Sequence, residues 1–169
     1  MRKLFPFLLI AVGLALILAG VGYWRFGEAT QNPAAAPLPD QVANLSLTSE
    51  STGRAAVQEV TRMHGKGFPL VSAAVGNYGA QHQVTLWVSG APISSIAGSM
   101  LTAMRDKIAE GRSPFTALGE RADGSRVVYE LEGMGQRHYY FQSGALLVWM
   151  AADPALAEQA LSEILKFYP

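Results

Sequence analysis

From Leu4 to Trp24 the chain carries no charged residue. That run of 21 residues matches the about 20 that an α-helix needs to cross a bilayer core. Pro6 falls in the first turn, where a missing N–H costs little. Tyr23 and Trp24 end the run, where amphipathic rings favour the headgroup level. A cleaved signal peptide has an apolar region of only about 7–15 residues with a small-residue cleavage site close behind. Here the run is longer, and Ala34-Ala35-Ala36 lies well beyond it. The reading is therefore an uncleaved anchor, residues 1–27, that meets the membrane through residues 4–24.

Arg2, Lys3 and the amino terminus put positive charge before the span, while Arg25 alone follows it. Basic flanks stay in the cytoplasm. The expected topology is single-pass in the plasma (inner) membrane, N-terminus cytoplasmic, with the rest extracytoplasmic or periplasmic. Ala11, Ala15 and Ala19 recur every fourth residue on one helical face. Small residues at that spacing let a second membrane helix pack closely.

Residues 28–47 contain Pro33, Pro37 and Pro39, several alanines and no amphipathic period. Pro-rich chain is extended and semi-rigid, so this stretch is expected to be a linker that holds a domain, residues 48–169, off the membrane.

Only 15% of the chain is charged, against about 25% for a soluble domain, as an apolar span requires. From Asp40 onward there are 10 Lys and Arg against 12 Asp and Glu. That balance argues against nucleic acid, whose phosphates call for a basic face. With no cysteine, disulfides, thiolate metal sites and cysteine nucleophiles are excluded.

Ser51–His64 has a helical stripe of Ala56, Val57, Val60 and Met63. Phe68–Tyr78 and Gln81–Ser89 read as strands, the second alternating Val84, Leu86, Val88 against Thr85, Trp87, Ser89. A helix over Ile93–Glu110 follows, with Ile96, Met100, Leu101, Met104 and Ile108 on one side. Phe115–Arg121 and Arg126–Glu132 flank Asp123-Gly124, a hairpin signal. Gln136–Gln142 and Ala145–Ala151 flank Ser143-Gly144. Asp153-Pro154 is expected to cap the last helix. The order αββαββββα, with hairpins implying antiparallel pairing, predicts an α+β domain of one antiparallel sheet and about three helices. Tyr78, Trp87 and Pro92 recur 62 residues later as Tyr140, Trp149 and Pro154, a faint echo of one ββα unit in another.

No phosphate-binding loop, nucleophile elbow or zinc-protease motif occurs. His64, His82 and His138 have no second ligand at metal spacing. His64 falls at a helix end, where a cation complements the dipole. Glu130 and Glu132 share a strand face and read as solvated. No catalytic, metal or cofactor residue is assigned.

The informative pattern is a face. With Ser143-Gly144 as the turn, Tyr139, Phe141, Val148 and Met150 share a core side. Gln136, His138, Tyr140, Leu147 and Trp149 share the other, and Trp87 belongs with them if the hairpins join one sheet. Rings with polar handles suit recognition surfaces. Trp87, Gln136, His138, Tyr140 and Trp149 are therefore the candidate binding residues for a protein partner or small apolar ligand, unless a helix covers them as a second core layer. The expected function is a non-enzymatic, membrane-anchored accessory module. The alternatives are a small subunit of a larger membrane complex and an enzyme with its site around His138.

Overall fold

A computed structural model describes residues 5–65, 67–111 and 113–169. Arg2 and Lys3, on which the expected topology rests, and Lys66 lie outside them. The chain begins with helix α1, Phe5–Gln31. From Phe7 onward it is long and apolar enough to cross a membrane, and none of its most apolar part is covered by the rest of the chain. Ala11, Ala15 and Ala19 are all exposed along it.

The stretch expected as a linker is built differently. Helix α1 runs through it to Gln31. Two short strands then follow, β1 at Ala34–Ala35 and β2 at Gln41–Val42, and strand β3 spans Leu45–Thr52. Ala36, Val42 and Ala43 are buried in the main core. Two of this stretch's three prolines are held by tyrosines. The Tyr78 hydroxyl donates to the Pro39 carbonyl at 2.9 Å, and that of Tyr168 to the Pro37 carbonyl at 2.5 Å. A proline has no N–H to satisfy and a free carbonyl, so a Pro-rich segment can be laid on a core by donors from the core. The turn between β2 and β3 is Ala43-Asn44, both at positive φ (52° and 62°). Glu163 of the last helix accepts the Ala43 N–H at 2.7 Å and pins this uncommon alanine conformation.

The expected αββαββββα order appears from here on. Helix α2 is Gly53–His64; strands β4 and β5 are Ser72–Tyr78 and Val84–Gly90; helix α3 is Ser94–Ala109. Strands β6 to β9 are Thr116–Asp123, Arg126–Gly133, Gln136–Ser143 and Leu146–Ala152, and helix α4 is Ala157–Phe167. Among the described residues nine strands form one sheet, eight of them in the order β2-β3-β4-β5-β9-β8-β7-β6, with β1 beside β4 off that path. All pairs are antiparallel except β1 with β4. The fold is α+β.

Two local expectations are corrected. The β8–β9 turn lies at Gly144-Ala145, because Ser143 pairs with Leu146. Gly144 has φ 57°, which suits the first central position of a II′ turn. The shift keeps every side chain on its expected face but sets Trp149, not Leu147, opposite Tyr140. Asp153 is not the cap of α4, whose first residue is Ala157. Its N–H donates instead to Gln83 O at 2.9 Å, tying β9's exit to β5's entry.

Side chains alternate between two faces. Helix α4 covers the first, where Val84, Leu86, Phe141, Val148, Met150, Ala160, Leu161 and Ile164 form one continuous core. Helices α2 and α3 cover the second. The 62-residue echo is not a structural repeat: α3 and α4 leave equivalent strands for opposite faces.

Candidate functional site

Register brings the aromatic candidates onto the second face. Trp87 on β5 pairs with Trp149 on β9, Trp149 with Tyr140 on β8, and Tyr140 with Tyr129 on β7. Three of these rings stack as a ladder. Trp149 and Tyr140 are 5.1 Å apart at 12°, and Tyr140 and Tyr129 are 4.8 Å apart at 15°. Offset rings at such spacings add about 0.5–1.5 kcal/mol per pair beyond burial.

His138 sits one rung along. Trp149 Nε1–H donates to its Nδ1 at 3.2 Å, and its Nε2 lies 3.1 Å from the Gly133 carbonyl. Indole nitrogen only donates and a carbonyl only accepts, so the proton is on Nε2 and the ring is neutral. Phe115 closes over it at 4.7 Å. With His138 2% exposed, burial pushes its pKa below the ordinary 6.5, and the bond to Gly133 only partly opposes this. Both nitrogens are committed, and neither partner is a carboxylate. A general base needs a free nitrogen within reach of its substrate's proton, and this ring offers none.

Tyr140 is 1% exposed, packed under Leu101, Met104 and Ile108. Burial, and then Tyr129, push its pKa up to about 12. His138 and Tyr140 are thus a second core layer beneath α3. Gln136 stands away from the tryptophans at the strand end, its amide 3.4 Å from Asp153.

The tryptophans differ from these. Both are half-buried. Trp149 packs with Ile108, Leu131 and Tyr140 below α3. Trp87 packs with Ala56, Val57, Ala73 and Val75 below α2. Two opposed side chains therefore lean on different helices, and the apolar packing on this face is divided where the other face is continuous. Ser89, Leu147 and Ala151 are buried on the same two strands. The Trp87 Nε1–H is buried and, among the described residues, has no hydrogen-bond partner. Buried donors in native proteins are seldom left so.

A polar cluster on the first face escaped the sequence reading. Arg121 forks onto Glu158 at 2.8 and 3.1 Å and reaches Glu130 at 2.5 Å. The Tyr139 hydroxyl donates to Glu158 at 2.9 Å. The bond from Arg121 holds the Glu158 carboxyl below the usual range, outweighing the upward push of burial, with a smaller contribution from Tyr139 in the same direction as Arg121. Beside it, Arg126 donates to the carbonyls of Leu165 (2.6 Å) and Tyr168, pairs with Asp123, and lies 5.1 Å over Phe141. Arg121, Asp123, Arg126 and Glu158 border a shallow cavity of about 250 Å³ against α4. Both guanidiniums are spent on carboxylates and helix carbonyls, so the cavity is a clamp on α4 rather than an anion site. No bulge is legible in sequence, and the register shift between Ala117 and Gly119 is what sets Arg121 against Glu130.

His64 Nδ1 lies 2.8 Å from the Val60 carbonyl within its own helix, and His82 is exposed in the β4–β5 turn. Among the described residues no group of His, Asp and Glu could hold a metal. Compared with known protein families, curated proteins and solved structures, the chain matches none.

Proposed function

We propose that the chain is a single-pass protein of the plasma (inner) membrane whose extracytoplasmic domain is a non-enzymatic binding module. Its site is the seam between α2 and α3, which receives an apolar or aromatic segment of a protein partner. The membrane part is supported by the uncovered apolar helix α1, with Tyr23 and Trp24 exposed at its end. The basic residues before the span support the orientation.

The observation that carries the binding reading is the Trp87–Trp149 pair. The rings are register partners, both half-buried rather than covered, and one holds a buried donor that has no acceptor among the described residues. Aromatic side chains flanking a buried apolar floor are the usual anchors of an interface, and an unpaired donor adds directionality. Enzyme chemistry at His138 has no such support, because its ring is closed on both sides.

The test is capture of partners from native membranes in mild detergent by the full-length chain. Trp87→Phe and Trp149→Phe should each lose a partner that the wild type and Met134→Ala retain. A partner set unchanged in both tryptophan variants would remove the seam from the reading.

A further inference from the structure

Trp149 belongs to the seam by its half-buried ring and to the core by its nitrogen. That nitrogen donates to His138 Nδ1 at 3.2 Å, while His138 Nε2 faces the Gly133 carbonyl at 3.1 Å. The indole otherwise meets ring faces, Tyr140 at 5.1 Å and Phe115 at 5.2 Å. Ring contacts tolerate sliding, whereas a hydrogen bond weakens steeply off its line. The bond to His138 is therefore what fixes the turn of the indole.

The imidazole is shut in on its other side. Phe115 lies 4.7 Å from it. The segment that carries Phe115 sits directly on Gly133, where a Cβ would meet the Phe115 ring and the Pro114 carbonyl, each at 2.7 Å. The Nδ1 lone pair is taken by the indole N–H, so a proton can bind there only once Trp149 has moved off.

No counter-charge would hold the resulting cation in place. The neighbouring strands set Leu131 and Ala151 opposite His138, and α3 brings Ile108 to the Trp149 cluster. Tyr140, on the same strand, has its pKa pushed up to about 12. Glu130, Glu132 and Arg137 lie on the first face, and Glu120 of β6 stands beyond, opposite Tyr129. The charged groups of α3 pair with one another, Arg105 with Asp106 and Lys107 with Glu110. Asp153 is met by the Gln136 amide. Accordingly, burial and the Gly133 bond alone shift the His138 pKa.

We infer that His138 is a proton gate for the seam: the neutral ring holds Trp149 where it meets the partner, and the protonated ring requires Trp149 to have left that place. The inference rests on the binding reading of the seam and adds its regulation. The proton comes from solvent to Nδ1, and Nε2 keeps its own toward the Gly133 carbonyl. A ligand that binds one of two states draws the population to it, and here the ligand is the proton and the state is released Trp149. For an imidazole that titrates near the ordinary 6.5 once released, the ratio of released to held Trp149 rises about 30-fold from about pH 8 to about pH 5. The partner is thus bound in neutral surroundings and let go in acid ones, as pH passes the His138 midpoint.

The chain has three tryptophans and three histidines, which makes a direct test possible. A full-length chain with Trp24→Phe, Trp87→Phe, His64→Gln and His82→Gln, in detergent, keeps Trp149 and His138 as its sole indole and imidazole. Acrylamide quenching of the Trp149 emission and the His138 resonances are followed from neutral to acid pH, with far-ultraviolet circular dichroism reporting the fold. Quenching should rise at unchanged circular dichroism, with the midpoint of the imidazole. Quenching that stays flat through that midpoint, or rises only as the circular dichroism is lost, overturns the gate and leaves the binding reading standing. The wild-type chain should capture its membrane partner at neutral pH, lose it below the His138 midpoint and regain it on neutralisation. Equal capture at both overturns the gate. So does a His138→Asn chain, which takes no proton there, that captures at neutral pH and still loses the partner in acid. If the wild type captures no partner even at neutral pH, the binding reading itself fails, and the gate with it.

Discussion

Trp149 donates its indole N–H to Nδ1 of His138 at 3.2 Å, and this one bond decides the histidine's chemistry. It forces the remaining proton onto Nε2, toward the Gly133 carbonyl, and so makes the neutral ring the only form that fits. Protonating Nδ1 would set two N–H groups against each other in a buried site.

A pH dependence follows. Burial lowers the folded pKa of His138 below 6.5. As pH falls through 6.5 the unfolded chain takes up a proton that the folded chain refuses. The unfolded state then binds more protons, so stability rises with pH across this window and is lost as pH falls toward the folded pKa. Nuclear magnetic resonance of the imidazole in the detergent-solubilised chain should show His138 titrating below the ordinary 6.5. A His138 midpoint at or above 6.5 would refute the assignment.

At the junction of α1 with the domain, Gly53→Ala is expected to cost more than Gly124→Ala. Both glycines have φ near 60°, but a Cβ at 124 meets nothing within 4 Å, whereas at 53 it meets the Pro33 carbonyl at 2.8 Å. Left-handed backbone alone costs an alanine about 1–2 kcal/mol, and the clash adds to it only at Gly53. Denaturant midpoints of the two variants measure the difference; equal losses would mean that the crossing is loose.

The two guanidiniums beside α4 should rank in the opposite order from their ion-pair counts. Arg121 makes two salt bridges, but its side chain is 39% exposed and that of Glu158 69%. Solvent screening leaves such an exposed pair about 0–1 kcal/mol. Arg126 is 17% exposed and closes the helix carbonyls of Leu165 and Tyr168. Bonds from a charged donor are worth about 1.5–3 kcal/mol each, and a cation also complements a helix C-terminus. Arg126→Met is therefore expected to lower the unfolding midpoint more than Arg121→Met, and the reverse order would count against the clamp.

Periodicity made the elements from α2 to α4 legible, because each has a dense apolar stripe or strict alternation. It also assigned Trp87, Trp149, Tyr140 and His138 to one face, since a two-residue change in pairing leaves side-chain parity unchanged. Strand β3 was not legible. Its sequence, Leu-Ser-Leu-Thr-Ser-Glu-Ser-Thr, is mostly polar and no residue of it is fully buried; beyond the two residues that pair with β2 its structure comes from pairing with β4 and leaves little hydrophobic signal. The β2–β3 turn hid for a related reason. Ala43 takes a conformation pinned by Glu163, 120 residues away in sequence, and no glycine announces it. Which rings stay half-exposed was beyond any reading of one strand at a time. The α3 stripe predicts burial, but only the crossover of α3 onto β8 and β9 decides that Tyr140 goes under it while Trp87 remains with α2.

That division separates the tryptophans experimentally. Trp87→Phe keeps a large ring against Val57 and Val75 and deletes a buried N–H that has no partner among the described residues. Removing an unpaired buried donor leaves no group behind, so stability should be unchanged or slightly higher. Trp149→Phe deletes a used donor and leaves His138 Nδ1 buried without one, at a cost of about 1–3 kcal/mol. The contrast sharpens the binding reading, because a variant that is no less stable yet captures less of the partner places the defect in recognition rather than in folding. Thermal unfolding of the two variants, set beside their partner capture, checks both halves. Should Trp87→Phe lose stability as Trp149→Phe does, the Trp87 N–H would be serving the fold, and the seam would lose its one directional group.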